Sequence, residues 1–100
     1  MARYHRTKYH RLWRKRVRKR CKNKCDITGE KKKLYAHHLN DVSNHWKQRK
    51  HVKNGVMIVK RLHKIFHCDY MGGYRVKCTK EDYETFKLDY LANPEKYEKL

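Results

Sequence analysis

The N-terminal part of the chain carries one narrow apolar stripe in a strongly basic background. Trp13, Val17 and Cys21 recur at every fourth position, which is the spacing of one face of an α-helix. The other faces are built from Lys and Arg with interleaved aromatic residues, and residues 1–24 contain no acidic side chain. The pattern predicts a basic helix or arm over residues 1–24.

Two short segments further along have the pattern of β-strands. Residues 33–39 (KLYAHHL) alternate, so that successive side chains point to opposite faces of a strand. Residues 56–59 (VMIV) form a continuous apolar run after the turn pair Asn54-Gly55. The polar residues 40–53 between these segments predict a long loop, and loops of this length often carry function.

Two more segments have helical spacing. Residues 60–70 (KRLHKIFHCDY) place three apolar side chains on one helical face, and the glycines of residues 71–78 (MGGYRVKC) end that helix. Thr79 followed by Asp82 has the pattern of a helix N-cap. A C-terminal helix over residues 79–92 then carries an apolar stripe. The stripe consists of Tyr83, Phe86, Tyr90 and Leu91.

The predicted elements therefore follow the order basic helix, strand, long loop, strand, helix and C-terminal helix. This order indicates an α+β fold. At 100 residues the chain is expected to form one domain over residues 1–100. Its parts are the basic arm (1–24), a central core (25–70) and the C-terminal helix (79–92).

The charge of the chain points to a polyanionic partner. The sequence has 28 Lys+Arg against 10 Asp+Glu, a formal net charge of +18. Self-repulsion on this scale is usually offset by a partner of opposite charge, most often nucleic acid, so the arm is expected to lie along phosphates. No segment approaches the ~18 apolar residues of a membrane span, and the basic N-terminus lacks the apolar stretch of a signal peptide. We therefore expect a cytoplasmic protein without membrane contact.

Four histidines have a spacing suited to metal binding and proton transfer. His63 and His67 lie four positions apart on a predicted helix, so both imidazoles can reach one ion. His37 and His38 are neighbours on a predicted strand and must face opposite ways. One of them can complete the metal site, and the other can then take a proton from water. Asn54 is a candidate for holding that imidazole in one orientation, and the whole set suits hydrolysis of a phosphodiester.

These residues resemble the HNH endonucleases of the ββα-metal fold. The resemblance is carried by LYAHHL at 34–39 and by KNGVMIVKRLHKIFH at 53–67, and it extends from about Trp13 to Phe86. The flanking CDITG and YMGGYRVKCTKEDYETF are similar to phage-encoded members of the family, many of them freestanding or homing endonucleases. The resemblance implies a β-hairpin clasped on a metal-binding helix, flanked by the basic N-terminal helix and the C-terminal helix. It also implies metal-dependent cleavage of double-stranded DNA.

The resemblance also implies a role for each site residue. His38 would be the general base, Asn54 the residue that orients it, and His37 and His63 ligands of one divalent metal ion. Many family members have Asp at the position of His37. The paired histidines with His-x-x-x-His are similar to the DNase toxins of the colicin group, in which three imidazoles hold the ion, and His67 would be the third. The implied products carry 3′-hydroxyl and 5′-phosphate ends.

Three imidazoles favour zinc, nickel or manganese over magnesium, which prefers oxygen ligands but stays compatible with the site. No small-molecule cofactor is implied. Contacts to DNA phosphates are expected from basic residues of the arm and of the region near the site, and such contacts give affinity without sequence choice. The candidates are Arg14, Arg16, Arg18, Lys19, Arg20, Lys47, Arg49, Lys50 and Lys60.

The cysteines leave other interpretations open. Many HNH enzymes hold a structural zinc with two Cys-x-x-Cys pairs, whereas the pairs here are Cys21-x3-Cys25 and Cys68-x9-Cys78. A zinc held by all four is one alternative, although we expect Cys25 to be a buried, small apolar residue.

Two non-catalytic classes also remain. A zinc module would take Cys21, Cys25, His63 and His67 as ligands. Residues 26–62 would then separate its two halves, far more than the roughly 12 residues of a compact finger. A ribosomal-type RNA-binding protein would suit the charge, but it does not require the histidine set.

Overall fold

The computed structural model of the chain describes residues 7–98, in which helices pack on both faces of one β-hairpin. Two 3₁₀ turns, Trp46–Gln48 and Val52–Asn54, interrupt the loop between the strands. The α+β class predicted from the sequence is confirmed. In chain order the elements are α1 (Lys8–Arg20), β1 (Leu34–His38), β2 (Gly55–Val59), α2 (Lys60–Lys64, continuing as a π-helical turn over Ile65–Tyr70), α3 (Lys80–Ala92) and α4 (Pro94–Tyr97).

The two strands pair antiparallel, with His37 opposite Val56 and His38 opposite Gly55. Every residue of β2 is buried. Met57 packs under α1, whereas Val56 and Ile58 belong to the core on the other face. Because both faces of β2 are covered, this strand has a continuous apolar run rather than an alternating one.

Helix α1 lies against the hairpin through the stripe that the sequence predicts. Thr7 caps the helix, since its Oγ1 accepts a hydrogen bond from the main-chain N–H of His10 at 3.2 Å. Trp13 and Val17 are buried against Met57. The predicted basic helix is therefore confirmed over Lys8–Arg20. Residues 21–24 of the predicted arm form a turn after the helix, and its first six residues lie outside the described residues.

Gly55 is required by the close approach of α1. A Cβ atom at this position would lie 2.5 Å from Trp13 Cζ2 and 2.6 Å from Val17 Cγ2, distances that real Cβ contacts do not show. The backbone of Gly55 is extended, with a φ of −144°, so any residue can adopt its conformation. Its lack of a side chain thus serves the helix–strand contact.

We expect Gly55→Ala to destabilise the fold by about 1–3 kcal/mol, because the added methyl overpacks the contact between α1 and β2. The midpoint of urea unfolding measures this change. Lys53→Ala is the matched control two positions away, since Lys53 is exposed and its replacement should shift the free energy of unfolding by less than about 0.5 kcal/mol. Equal midpoints for the two variants would contradict the packing argument.

The opposite face of the hairpin carries the larger core. Leu62 and Phe66 from the α2 segment pack there with the buried stripe of α3. The predicted capping box starts α3, because the Thr79 and Asp82 side chains each accept a hydrogen bond from the other's main-chain N–H. The predicted stripe is wrong at one position. Leu91 is 53% exposed, because the contact of α3 with the core ends at Tyr90. None of the helices within residues 7–98 has the length and apolar character needed to cross a membrane.

The cysteines do not gather into a metal site in the described structure. Cys25 is buried, and its Sγ accepts hydrogen bonds from the N–H groups of Val59 at 3.4 Å and Thr28 at 3.5 Å. Cys78 is also buried, with Sγ 3.7 Å from the Leu39 carbonyl oxygen. The expectation that Cys25 is a small core residue is confirmed. The structure does not bring Cys21, Cys25, Cys68 and Cys78 together, because residues 7–98 contain no group of three or more cysteines close enough to share an ion.

Candidate active site

Three histidines from two elements meet beside the hairpin. His37 comes from the end of β1, His63 from α2 and His67 from the π-helical turn, and their potential ligand atoms all lie within 4.8 Å of one another. The ring centroids are 4.6 Å apart for His63 and His67, and 5.1 Å apart for His37 and His67. This is the one group of metal-ligating side chains of that kind within residues 7–98. It is close enough to bind a metal ion.

The helix that carries two of these histidines changes its form between them. After Lys64 it widens into a π-helical turn, marked by the hydrogen bond from the Met71 N–H to the Phe66 carbonyl at 2.8 Å. Phe66 is fully buried, and its ring lies 5.3 Å from that of His37. Short π-helical segments inside α-helices are frequent at functional sites. The apolar spacing of the sequence predicts the helix but not this widening.

Burial keeps the three imidazoles neutral. It moves the pKa of His37 well below the usual 6.5, with further lowering from His63, His67 and His38. It also lowers the pKa of His63 to about 4, and it lowers that of His67.

Two atoms of the cluster, His37 Nε2 and His67 Nδ1, are buried and have no hydrogen-bond partner in the described structure. Buried polar atoms nearly always have one. Neutral imidazoles with unshared lone pairs are the form that binds a divalent cation, so this donor set fits a metal ion.

The lowered pKa values make the metal-free protein sensitive to acid. Because the folded state keeps His63 neutral while the unfolded state binds a proton near pH 6.5, the contribution of His63 to stability is present above about pH 6.5. We expect the free energy of unfolding, measured in chelator, to fall as the pH drops from about 6.5 toward about 4. The slope of this fall should be shallower in His63→Ala, and identical slopes would contradict the assignment.

The second histidine of the pair lies on the other side of β1. His38 stacks on Trp13 with ring centroids 3.8 Å apart and an interplanar angle of 4°. Its Nε2 lies 3.2 Å from the carbonyl oxygen of Arg49, and a carbonyl can only accept. The neutral ring therefore has its proton on Nε2 and its lone pair on Nδ1. Trp13 is itself fixed by the hydrogen bond from its Nε1 to the His51 carbonyl at 2.9 Å.

Asn54 holds the loop that carries this carbonyl. Its Oδ1 accepts from the Asn40 N–H at 2.9 Å, and its Nδ2 donates to the carbonyls of Asn40 at 3.1 Å and Gln48 at 3.4 Å. Gln48 immediately precedes Arg49, whose carbonyl bonds His38. The described hydrogen bonds thus connect Asn54 to His38 through the loop main chain.

All four predicted histidines line one cleft of about 410 Å³. His10 and Tyr74 line it as well, although the sequence pattern placed His10 only in the basic arm. Its position three residues before Trp13 on the same helical face is the pattern that would have found it. No pattern points to Tyr74, whose ring stacks on that of His67 with centroids 5.0 Å apart.

The basic residues predicted to contact DNA differ in their surroundings. Arg20 donates from Nη2 to the Gly55 carbonyl at 2.7 Å, so its guanidinium holds β2. Arg49 lies over the Trp46 ring at 3.9 Å, and Lys50 lies over the Tyr9 ring at 4.0 Å. Four of the remaining predicted residues have exposed side chains, namely Arg16, Lys19, Lys47 and Lys60.

Arg14 and Arg18 instead line a second groove, between α1 and β1. Arg11 and Lys15 share that groove, and they were not among the predicted DNA-contacting residues. Their spacing indicates that they share a face with Arg14 and Arg18, since residues 11, 14, 15 and 18 follow the i, i+3, i+4, i+7 pattern of one helical face.

Comparisons with models of protein families, with curated proteins and with solved structures find no match. The function is therefore argued from the geometry of the site. That geometry consists of three neutral imidazoles close enough to share an ion and a fourth imidazole held separately in the same cleft. It occurs in a chain of net charge +18.

Proposed function

We propose that this chain is a metal-dependent DNA endonuclease of the HNH type that hydrolyses phosphodiester bonds. One observation carries the proposal: a three-histidine cluster and a separately held fourth histidine open into the same cleft. The two neighbouring histidines of β1 would divide metal binding and proton transfer between them, since His37 faces the helix histidines and His38 faces Trp13. A metal site and a base together are suited to cutting a phosphodiester at neutral pH.

The metal would be held by His37, His63 and His67. Three nitrogen ligands favour zinc or nickel over magnesium. When bound, the ion supplies positive charge to the phosphate and to the leaving oxygen. The two buried ring nitrogens without partners, His37 Nε2 and His67 Nδ1, support this assignment.

His38 would act as the general base. Its lone pair on Nδ1 accepts a proton from water, while the N–H at Nε2 stays bonded to the Arg49 carbonyl. The stack on Trp13 restricts rotation of the ring, so that Nδ1 keeps one direction. The deprotonated water attacks phosphorus in line, the bond to the 3′ oxygen breaks, and the departing oxygen takes a proton from solvent water. The products are a 3′-hydroxyl and a 5′-phosphate.

The charge supports double-stranded DNA as the substrate. A net charge of +18 on 100 residues favours binding to a polyphosphate backbone. The lining of the cleft itself is nearly balanced in charge, with Lys77 and Asp41 beside the histidines, so the attraction comes from the basic surface around it. Contacts of this kind do not read sequence, so we expect affinity that falls steeply with salt.

The non-catalytic alternatives receive less support. A zinc module would need Cys21 and Cys25 beside His63 and His67, but the group formed within residues 7–98 has His37 as its third member. An RNA-binding role suits the charge, yet it gives no reason for His38 to share a cleft with the cluster.

A plasmid-nicking assay tests the proposal. The purified chain is incubated with supercoiled DNA in chelator and with Mg²⁺, Mn²⁺, Ni²⁺ or Zn²⁺. We expect nicking that requires a metal ion. DNA binding without nicking under every metal would overturn the endonuclease and favour a non-catalytic zinc module or an RNA-binding protein.

A further inference from the structure

A second groove, of about 680 Å³, runs between α1 and β1. Arg11, Arg14, Lys15 and Arg18 line it from α1, and residues of β1 line it from the other side. None of its lining residues, all of which belong to the described part of the chain, is acidic. The groove thus has one strongly cationic wall.

The groove adjoins the catalytic cleft. His10 and Ala36 line both cavities. The ring of His10 lies 5.8 Å from that of His38, so the groove meets the cleft beside the proposed base. A polymer whose reacting phosphate lies at His38 can therefore continue into the groove.

The spacing of the cations adds an independent argument. Positions 11, 14, 15 and 18 form one helical face, so these like charges are close neighbours along the helix and destabilise it in isolation. Within residues 7–98, Arg14, Lys15 and Arg18 form no salt bridge that would offset this repulsion. A bound polyanion would offset it.

We infer that this groove binds the sugar–phosphate backbone of the DNA strand that extends from the cleaved phosphate. The inference rests on the proposed function of the cleft. At a rise of ~1.5 Å per residue, residues 11–18 span roughly 10 Å of α1. This length matches about three nucleotides at ~3.4 Å per step of one strand. The basic residues of α1 are thereby divided: Arg14 and Arg18 track the strand, whereas Arg16 and Lys19 lie outside the groove.

The test compares two double variants that remove the same charge from the same helix. Arg14→Gln with Arg18→Gln changes the groove, and Arg16→Gln with Lys19→Gln is the matched control on exposed positions outside it. Binding of the full chain to a fluorescein-labelled DNA duplex is followed by fluorescence anisotropy in chelator over a series of salt concentrations. All four side chains are exposed, so neither double variant should lower the Tm.

We expect the groove variant to raise Kd about tenfold or more and to reduce the slope of log K against log salt by about two. The control should raise Kd less than about threefold. Equal losses in the two variants, or no salt-dependent binding by the wild type, would overturn the groove. Because the assay needs no metal and no cleavage, a groove-specific loss in a chain that cuts no plasmid would support the groove while overturning the endonuclease.

Discussion

Replacing His38 with alanine is expected to lower the rate of plasmid nicking by about 10²–10⁴-fold, the usual contribution of a general base. Metal binding and DNA binding should stay near wild-type levels. His38 faces Trp13 and the Arg49 carbonyl, on the opposite side of β1 from the three-histidine cluster. Removing its imidazole therefore takes away the proposed proton acceptor without removing a candidate ligand.

Two further variants make this result specific. His38→Gln keeps a polar side chain in the buried position but has no group that titrates near neutral pH, so it should be as inactive as His38→Ala. His51→Ala removes an imidazole from an exposed loop position and should nick at the wild-type rate. Zinc content per chain and duplex anisotropy complete the comparison. Wild-type nicking by a folded His38→Gln protein would remove His38 from the role of base.

The order of elements was predictable because each has a periodic pattern of its own. The alternation in KLYAHHL, the run VMIV and the pair of Thr79 with Asp82 specify two strands and a capped helix from local residues alone. The three-histidine group was predictable in part from the same kind of pattern. Two of its members are one helical turn apart, and neighbouring residues of a strand face opposite ways, so one histidine of the pair was expected to join them. The resemblance to HNH endonucleases, rather than the pattern, pointed to His37.

The features that were not predictable depend on which element covers which face. The sequence shows that Trp13 belongs to an apolar stripe, but only the packing of α1 on β2 places its ring on His38. Gly55 has the pattern of a turn residue, yet its lack of a side chain serves the contact with α1.

The residues predicted to contact DNA show the same difference. The composition of the arm does not distinguish one basic residue from another. In the folded chain, Arg14 lines a groove, whereas Arg20 donates a hydrogen bond to the Gly55 carbonyl. A sequence pattern predicts on which face of a helix or strand a side chain lies. Tertiary contacts between distant segments determine which residue that side chain contacts.

A large loss of metal binding is expected from His63→Ala. His63 supplies one of three candidate ligands, and losing a direct ligand should weaken zinc or nickel binding by more than about 100-fold, since even residues that only support ligands contribute 10–100-fold. Nicking should fall in parallel at limiting metal. The variant should still fold, because His63 is only partly buried and its neighbours Leu62 and Phe66 keep their core contacts.

Two measurements separate a lost ligand from a lost base. Added zinc should raise the Tm of the wild type and of His51→Ala, because an ion bound only by the folded state stabilises it, and it should leave the Tm of His63→Ala nearly unchanged. Excess metal should partly restore nicking in His63→Ala, since His37 and His67 remain, but it should not restore nicking in His38→Ala. Full metal affinity in His63→Ala would remove His63 from the ligand set, and rescue of His38→Ala by metal would mean that His38 helps hold the ion rather than accept the proton.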